Sequence, residues 1–474
     1  MAEQFHLKPS LAKYDLVVIG SGPGGQKAAL QAAKLGRTSI VIEKDRMGGA
    51  CLHTGTIPSK TLREAALGET LNDVKGRDIH NAVMNRTRAV IENETTIIEN
   101  QLFRNKVEYI GGLGTFVGPH RVQIRNAAGV FEVEGEFIVI ATGTRPRRPE
   151  GFAFDSNCIH DSDSILEMST QPKTMAVLGA GVIGCEYASI YARMGVKVTL
   201  VDRKPDLLKA IDDEITEALR AEFAKSHIEM AFDYDYKNVE TVKVDGKRKV
   251  KLEMKLNSAT TFETRHFDTV LVCVGRVGNV EHLNLDAAGI TDKNDRGLIV
   301  VNSNYQTSIP HIYAVGDIIG SPALAASSAE QGRLAALHAL MKEPARFPTT
   351  FPYGIYTIPE ISSVGAQEVE LKSRNIEYVV GRANYREIAR GKILADEHGF
   401  LKLLVDRRTQ RILGVHVIGT GATELVHIGQ TAMAFGATIK FFVDNVFNYP
   451  TLAEAYKVAA YNALNKITKL GELD

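Results

Sequence analysis

Residues 15–43 read DLVVIGSGPGGQKAALQAAKLGRTSIVIE: an apolar run, a turn dense in glycine, an alanine-rich stretch and a second apolar run. The first run suits a buried strand, the alanines a helix, and Gly36 a helix stop, because glycine takes a left-handed cap conformation at little cost. Strand, helix and strand in this order make a βαβ unit. Residues 175–202, MAVLGAGVIGCEYASIYARMGVKVTLVD, repeat the pattern, with the helix stopping at Gly195. Each unit is later closed by an apolar strand running into glycine, FIVIATG at Gly143 and TVLVCVG at Gly275.

The two turns carry chemistry. Gly20, Gly22 and Gly25 fit G-x-G-x-x-G, as do Gly179, Gly181 and Gly184. Such a turn brings bare backbone N–H groups and the positive end of a helix to a pyrophosphate, and an acid closing the next strand accepts a ribose hydroxyl. Glu43 and Asp202 stand at that position. Two dinucleotide sites in one chain imply electron transfer between two cofactors. Asp202 favours the free 2′-hydroxyl of NAD; Arg203 and Lys204 either neutralise the 2′-phosphate of NADP or are solvated surface charges.

At 474 residues the chain exceeds what one hydrophobic core serves, so about three domains are expected. The 56 basic and 56 acidic residues cancel, which argues against nucleic acid or an anionic membrane as partner. No stretch nears ~18 unbroken apolar residues, and the opening MAEQFHLKPSLAKYDLVVIG lacks a cationic lead into a long apolar segment, so a cytoplasmic protein is expected. Four cysteines are too few for a disulfide framework; Cys158, Cys185 and Cys273 read as interior residues of regular elements. His53 and His427 have no second ligand at a chelating spacing, so no metal is expected. From about residue 350 onward, alternating strands such as FLKLLVD and RILGVHVIG precede two helical stretches and carry no phosphate motif.

Residues 48–60, GGACLHTGTIPSK, resemble the redox segment of the pyridine nucleotide-disulfide oxidoreductase family, in which two cysteines with four residues between them precede Pro and Lys. The resemblance continues through Ala141-Thr142-Gly143, Glu186, Ala314-Val315-Gly316-Asp317, PEISSVG from Pro359 and FNYPTLAEAY from Phe447, and so spans the chain in the family's order. It implies an α/β fold with two Rossmann-like domains, one for FAD and one for NAD(P), and a C-terminal α+β dimerisation domain. The expected sections are 1–150 and 281–348 for FAD, 151–280 for NAD(P) and 349–474 for dimerisation, in a homodimer or larger homo-oligomer. By the same resemblance Asp317 binds the ribityl chain, while Lys60 and Glu186 pair beside the flavin ring, where a cation offsets charge on the reduced ring. Without the family, Asp317 reads as a helix N-cap and Lys60 and Glu186 as exposed helix residues. The residues expected to hold the cofactors are Gly20, Gly22, Gly25, Glu43, Lys44, Gly49, Cys51, Thr56, Lys60, Thr142, Gly143, Gly179, Gly181, Gly184, Asp202, Arg203, Gly275, Arg276, Gly316, Asp317 and Ala325.

Two departures decide the function. A disulfide reductase needs one sulfur to attack substrate and a second beside the flavin. Matched positions make Cys51 the first, but the second is Thr56, whose hydroxyl neither makes a disulfide nor donates as a thiolate. The family's C-terminal histidine is also missing: Tyr449 precedes Pro450 and Thr451, with Glu454 at the partnering acidic position, and tyrosine titrates near ~10, too high for a base at neutral pH. Lys60, Glu186, Tyr449 and Glu454 are the expected catalytic set, with Cys51 kept as a small packed residue. DSDSIL, YGIYTIPEISSVG and the CxHxGTIPSK pattern resemble the soluble (Si-specific) pyridine nucleotide transhydrogenases of this family. That resemblance implies ping-pong hydride transfer from NADPH to NAD through flavin N5. The rivals are a flavin diaphorase or quinone reductase of the same fold, and a binding subunit that has lost its redox role.

Overall fold

The computed structural model describes residues 11–68, 77–155 and 157–471, so the reading of the first ten residues as free of a leader lies outside it. The chain divides into two compact units, one of residues 1–150, 161–170 and 274–347, the other of residues 151–160, 171–273 and 348–474.

In the first unit, Ala12–Ile19, Ser39–Glu43, Glu108–Gly111 and Ile312–Ala314 join Gly129–Ile140 in a parallel arrangement, which Arg121–Asn126 and Leu113–Gly118 extend antiparallel. Ala12–Ile19 is central and buried on both faces, as parallel strands are. Leu16 and Val18 pack with Val41, Ala28, Ala32 and Leu334, whereas Val17 and Ile19 pack with Ile42, Phe116 and Ile138. Helix Pro23–Lys34 starts with proline at its first turn and stops at Gly36, φ +73°. It lies against helix Ala325–Met341 so closely that a Cβ on Gly332 would stand 1.9 Å from the Gly24 carbonyl oxygen. A 28-residue helix, Arg77–Arg104, escaped the sequence reading, because its polar residues leave only a weak apolar stripe.

In the second unit a sheet runs in the order Glu229–Phe232, Lys197–Asp202, Thr174–Leu178, Thr269–Val272, Ile159–Asp161, its first four strands parallel. A separate antiparallel sheet is made by Tyr234–Val244, Lys247–Leu256 and Glu263–Phe267. Residues after 350 form a five-stranded sheet in the order Tyr353–Ile355, Ile361–Gly365, Ile412–Ile418, Phe400–Asp406, Tyr378–Asn384, covered by helices Ala422–Ala434 and Glu454–Gly471. A one-turn helix, Lys440–Asp444, stands between those two expected helices.

Two sequence expectations need correction. FLKLLVD does not alternate between core and water: Phe400 to Val405 are all buried, Lys402 among them. Its ammonium makes the burial possible, lying 2.9 Å from Asp212, 3.1 Å from Glu214 and in contact with Glu368. Cys185 is fully buried in its helix, but Cys158 lies in a bend just before Ile159–Asp161, and Cys273 is half-buried one residue beyond Thr269–Val272.

Lys402 replaced by methionine leaves Asp212 buried and Glu368 half-buried without their cation. Removing one partner of a buried ion group costs about 3–5 kcal/mol. Lys402→Met is therefore expected to lower the urea unfolding midpoint sharply; an unchanged midpoint would show that the carboxylates find water instead.

Candidate functional site

The two glycine turns share one geometry. Gly20 and Gly179 take φ +103° and +107°. A Cβ on Gly25 would stand 2.0 Å from the Gly20 carbonyl oxygen, and one on Gly184 only 1.8 Å from that of Gly179, so the helix start is pressed onto the strand end. Gly22 and Gly181, by contrast, face open space, with nothing within 4 Å of a Cβ. These two are the helix N-caps, and neither helix start receives a side-chain cap, which leaves backbone N–H groups for an anion.

An acid holds each turn. Glu43 is buried, its Oε2 accepting from the Ser21 N–H at 2.9 Å and the Ser21 hydroxyl at 2.7 Å, its Oε1 from the Asp45 N–H at 3.0 Å. Asp202 does likewise: Oδ2 accepts from the Ala180 N–H at 2.6 Å and Oδ1 from the Lys204 N–H at 2.8 Å. Each carboxylate oxygen keeps lone-pair capacity for a ribose hydroxyl. Lys44, next to Glu43, is exposed and pairs with Asp45 at 3.7 Å.

The segment after Glu43 wraps onto the first turn. Gly48 donates its N–H to the Ser21 hydroxyl at 2.9 Å, and a Cβ on Gly49 would lie 3.1 Å from the Gly22 Cα. Short helix Gly49–His53 carries Cys51, and helix Thr56–Leu67 carries Thr56 and Lys60 one turn apart. Burial pushes the Cys51 thiol up; a hydrogen bond with Thr56 lowers it, Asp317 raises it, and Lys60 lowers it. Thr56, Lys60 and Asp317 thus all act on the Cys51 thiol. Thr142 contributes a buried hydroxyl with no partner among the described residues.

Asp317 lies in the turn Gly316–Ile319, whose N-cap is Val315, so the N-cap reading of Asp317 fails. Burial raises its carboxyl, while Arg276 and the Thr144 hydroxyl, 3.4 Å away, pull it down. Arg276 in turn donates to the Thr144 hydroxyl at 2.8 Å and carbonyl at 2.7 Å, and lies 3.9 Å from Asp163. Asp163, raised chiefly by burial, also accepts from Thr54 in the Cys51 segment. A continuous polar chain, Thr54–Asp163–Arg276–Thr144–Asp317, therefore underlies this site. Sequence reading found Arg276 and Asp317 but missed Thr54, Thr144 and Asp163; Ser21, which braces the first turn, and Gln331, whose side chain accepts from the Gly316 N–H at 2.8 Å, were missed as well. Ala325 opens helix Ala325–Met341 behind the Asp317 turn, while Gly143, φ +63°, and Gly275, φ +110°, lie three residues beyond their strands, which end at Ile140 and Val272.

In the second unit Glu186 is 4% exposed, its Oε1 accepting from the Tyr356 N–H at 2.8 Å, which removes the reading of an exposed helix residue. Arg203 is 60% exposed yet has partners: Nε donates to Asp235 at 2.9 Å, Nη2 to the Tyr236 carbonyl at 3.1 Å, and the guanidinium lies 4.6 Å from the Tyr236 ring centre. Tyr449 is 72% exposed, and Glu454 opens the last helix with a buried, unpartnered Oε2 among the described residues. Phe435, Phe441 and Val446 are exposed on the same domain. His53 bonds the Met47 carbonyl and His427 bonds Gln430. The Asp212, Glu214 and Glu368 carboxylates converge, but on the Lys402 ammonium.

The chain is similar to known proteins. Residues 14–332 match the profile of the pyridine nucleotide-disulphide oxidoreductases, and residues 351–460 that of the same proteins' dimerisation domain. The chain is 46% identical to a soluble pyridine nucleotide transhydrogenase of Mycobacterium bovis, over 98% of this chain and 99% of the relative. It is 42% identical to one from Hahella chejuensis, over 96% and 99% of the two chains. Among solved structures, LpdA from Mycobacterium tuberculosis aligns with a TM-score of 0.84 at 26% identity, over 95% of this chain and 99% of that one. The HOCl-induced flavoprotein disulfide reductase RclA from Escherichia coli, in a Cu(II) complex, aligns at 0.85 with 24% identity over 95% and 99%, a likeness of fold.

A side chain at position 181 enters space that the fold leaves open. Gly181→Val is expected to keep FAD content and the thermal midpoint near wild type while raising KM for both nicotinamide nucleotides more than about tenfold, through lost backbone approach to the pyrophosphate. An unchanged KM in steady-state assays would remove this turn from the nucleotide site.

Proposed function

The chain belongs to the pyridine nucleotide-disulphide oxidoreductase family, and on that premise we propose that it passes reducing equivalents between NADPH and NAD as a FAD-dependent transhydrogenase. The full-length likeness to proteins named soluble pyridine nucleotide transhydrogenases supports this reading. The observation that carries it from this chain is the partner of Cys51, a threonine hydroxyl where a disulfide reductase needs a second sulfur.

The residues present suit the cofactors. The Gly20–Gly25 turn, with Glu43 behind it, offers the FAD pyrophosphate and ribose their donors and acceptor, and the Gly179–Gly184 turn with Asp202 offers the same to NAD(P). The Thr142 hydroxyl and the Asp317 carboxylate remain for the rest of FAD. Bound FAD supplies a two-electron carrier that takes a hydride from one nicotinamide and returns it to another. The protein's part is to bind and orient. Lys60 would set a positive charge near the flavin ring, where negative charge gathers on reduction. Cys51, held in the thiol form by burial, packs rather than reacts. Arg276, fixed by Thr144, keeps the Asp317 turn in place.

We assign the FAD sections to 1–150 and 281–348, the nicotinamide nucleotide section to 151–280 and dimerisation to 349–474, the last supported by the dimerisation-domain match. The exposed apolar residues Phe435, at 87%, and Val446, at 94%, suit burial against a second copy. In that dimer Tyr449 and Glu454 stand at the positions of the family's acid–base pair, with no basic nitrogen to move a proton to sulfur. A cytoplasmic location accords with four free thiols, and no helix among the described residues is long and apolar enough to cross a membrane.

Anaerobic NADPH is expected to bleach the visible flavin band without raising a long-wavelength thiolate charge-transfer band at pH 7, and NAD to restore it. Turnover of lipoamide or glutathione disulfide at rates near nucleotide exchange would overturn the reading; fast quinone reduction with no transfer to NAD would replace it by the diaphorase reading. Cys51→Ser should keep transhydrogenation within about twofold, since a packed thiol and a hydroxyl differ little in volume. Phe435→Glu is expected to shift the sedimentation coefficient toward monomer, because a charge cannot enter an apolar interface unpaired.

A further inference from the structure

We propose that Asp235 sets the balance between the two nucleotides, by holding Arg203 half-neutralised and immobile beside Asp202. The inference rests on the transhydrogenase reading, in which one site must accept a 2′-hydroxyl and a 2′-phosphate in alternation.

Asp202 alone serves only the first. Both its oxygens are tied to backbone, to Ala180 at 2.6 Å and Lys204 at 2.8 Å, so the carboxylate cannot swing aside when a phosphate arrives. A cation must therefore offset the repulsion between two anions, and the next residue supplies one. A free arginine would overshoot, since a mobile guanidinium pairs bidentately with phosphate and would make the site selective for the phosphorylated nucleotide.

The structure shows a restrained arginine instead. Nε of Arg203 donates to Asp235 at 2.9 Å and Nη2 to the Tyr236 carbonyl at 3.1 Å, while the plane lies over the Tyr236 ring at 4.6 Å. Asp235 is itself fixed, its Oδ1 also accepting from the Tyr236 N–H at 2.9 Å. Asn257 holds the Arg203 carbonyl at 3.2 Å and Asp233 at 2.6 Å, which secures the backbone of the same corner. The guanidinium, though 60% exposed, thus has its partners before any nucleotide binds, which lowers the cost of using it. Its charge is shared with a carboxylate, which limits how much a phosphate gains. A 2′-hydroxyl meets Asp202 and loses nothing.

The test uses the FAD-loaded enzyme with adenosine 2′,5′-bisphosphate and AMP as competing ligands, and wild type, Asp235→Asn, Asp235→Glu, Arg203→Ala and the double variant Asp235→Asn/Arg203→Ala. Freeing Arg203 is expected to tighten the bisphosphate about three- to fivefold with AMP unmoved, the scale of an exposed ion pair. The gain should fade in high salt, disappear in the Arg203→Ala background and be absent in Asp235→Glu. KM for NADPH should fall by the same factor relative to KM for NADH, with kcat steady. The proposal is overturned if Asp235→Asn leaves the preference ratio unchanged, tightens both ligands alike, or keeps its gain without Arg203, or if wild type does not bind the bisphosphate. A shifted ratio without hydride passing from NADPH to NAD would sink the transhydrogenase reading and leave this one standing.

Discussion

Each nucleotide turn depends on one contact: a carboxylate at the end of a strand accepting the backbone N–H of a residue between two glycines. Glu43 does this for Ser21 and Asp202 for Ala180. The tie fixes where the turn stands relative to the next strand, and the turn fixes the helix, because Gly25 and Gly184 leave no room for a Cβ against the carbonyls of Gly20 and Gly179. From that follows the open space at Gly22 and Gly181 and the exposed helix N–H groups. The acid that we assign to ribose thus also builds the turn that we assign to the pyrophosphate. Losing it would disturb both, and its kinetic effect could not be divided between them.

Cys51 and Thr56 show how one atom changes a reaction class without changing a fold. The threonine hydroxyl still lies against the Cys51 thiol, at the start of the helix that carries Lys60. It cannot accept an electron pair and form a sulfur–sulfur bond. Electrons that enter through one nicotinamide therefore have no route outward except another nicotinamide or a small acceptor. The absence of a histidine at Tyr449 agrees, since a protein that never releases a thiolate has no leaving group to protonate.

How much of this was legible in the sequence depended on the range of the interaction. The βαβ units, their Gly36 and Gly195 stops and the glycine turns were readable because each is decided within about thirty residues. The polar chain from Thr54 to Asp317 was only half readable, because it joins five residues spread between positions 54 and 317 and has no spacing to betray it. Gly332 gave a signal that went unused: an isolated glycine inside an otherwise good helix generally marks a close approach, here to Gly24. Lys402 misled in the opposite sense, since a lysine between leucines looks like an exit to water. Its three carboxylate partners lie 34, 188 and 190 residues away.

Burial of Lys402 carries a consequence for specificity of assembly within the second unit. A lysine at the centre of a covered sheet is weak evidence for stability, since apolar residues of like volume would often serve as well. It does, however, admit only one docking of helix Asp213–Lys225 on strand Phe400–Asp406, because any other register would strand both the ammonium and Asp212 without partners. Glu186 works in parallel, accepting the Tyr356 N–H from the strand-end segment of the dimerisation fold, and Ser189 one turn on accepts that of Ile358 at 3.1 Å. Helix Val182–Arg193 starts at the nucleotide turn. Its position is therefore set at one end by Asp202 through the Ala180 N–H, and along its length by residues of the C-terminal sheet domain. Charge and hydrogen bonding thus add register to the apolar core of this unit.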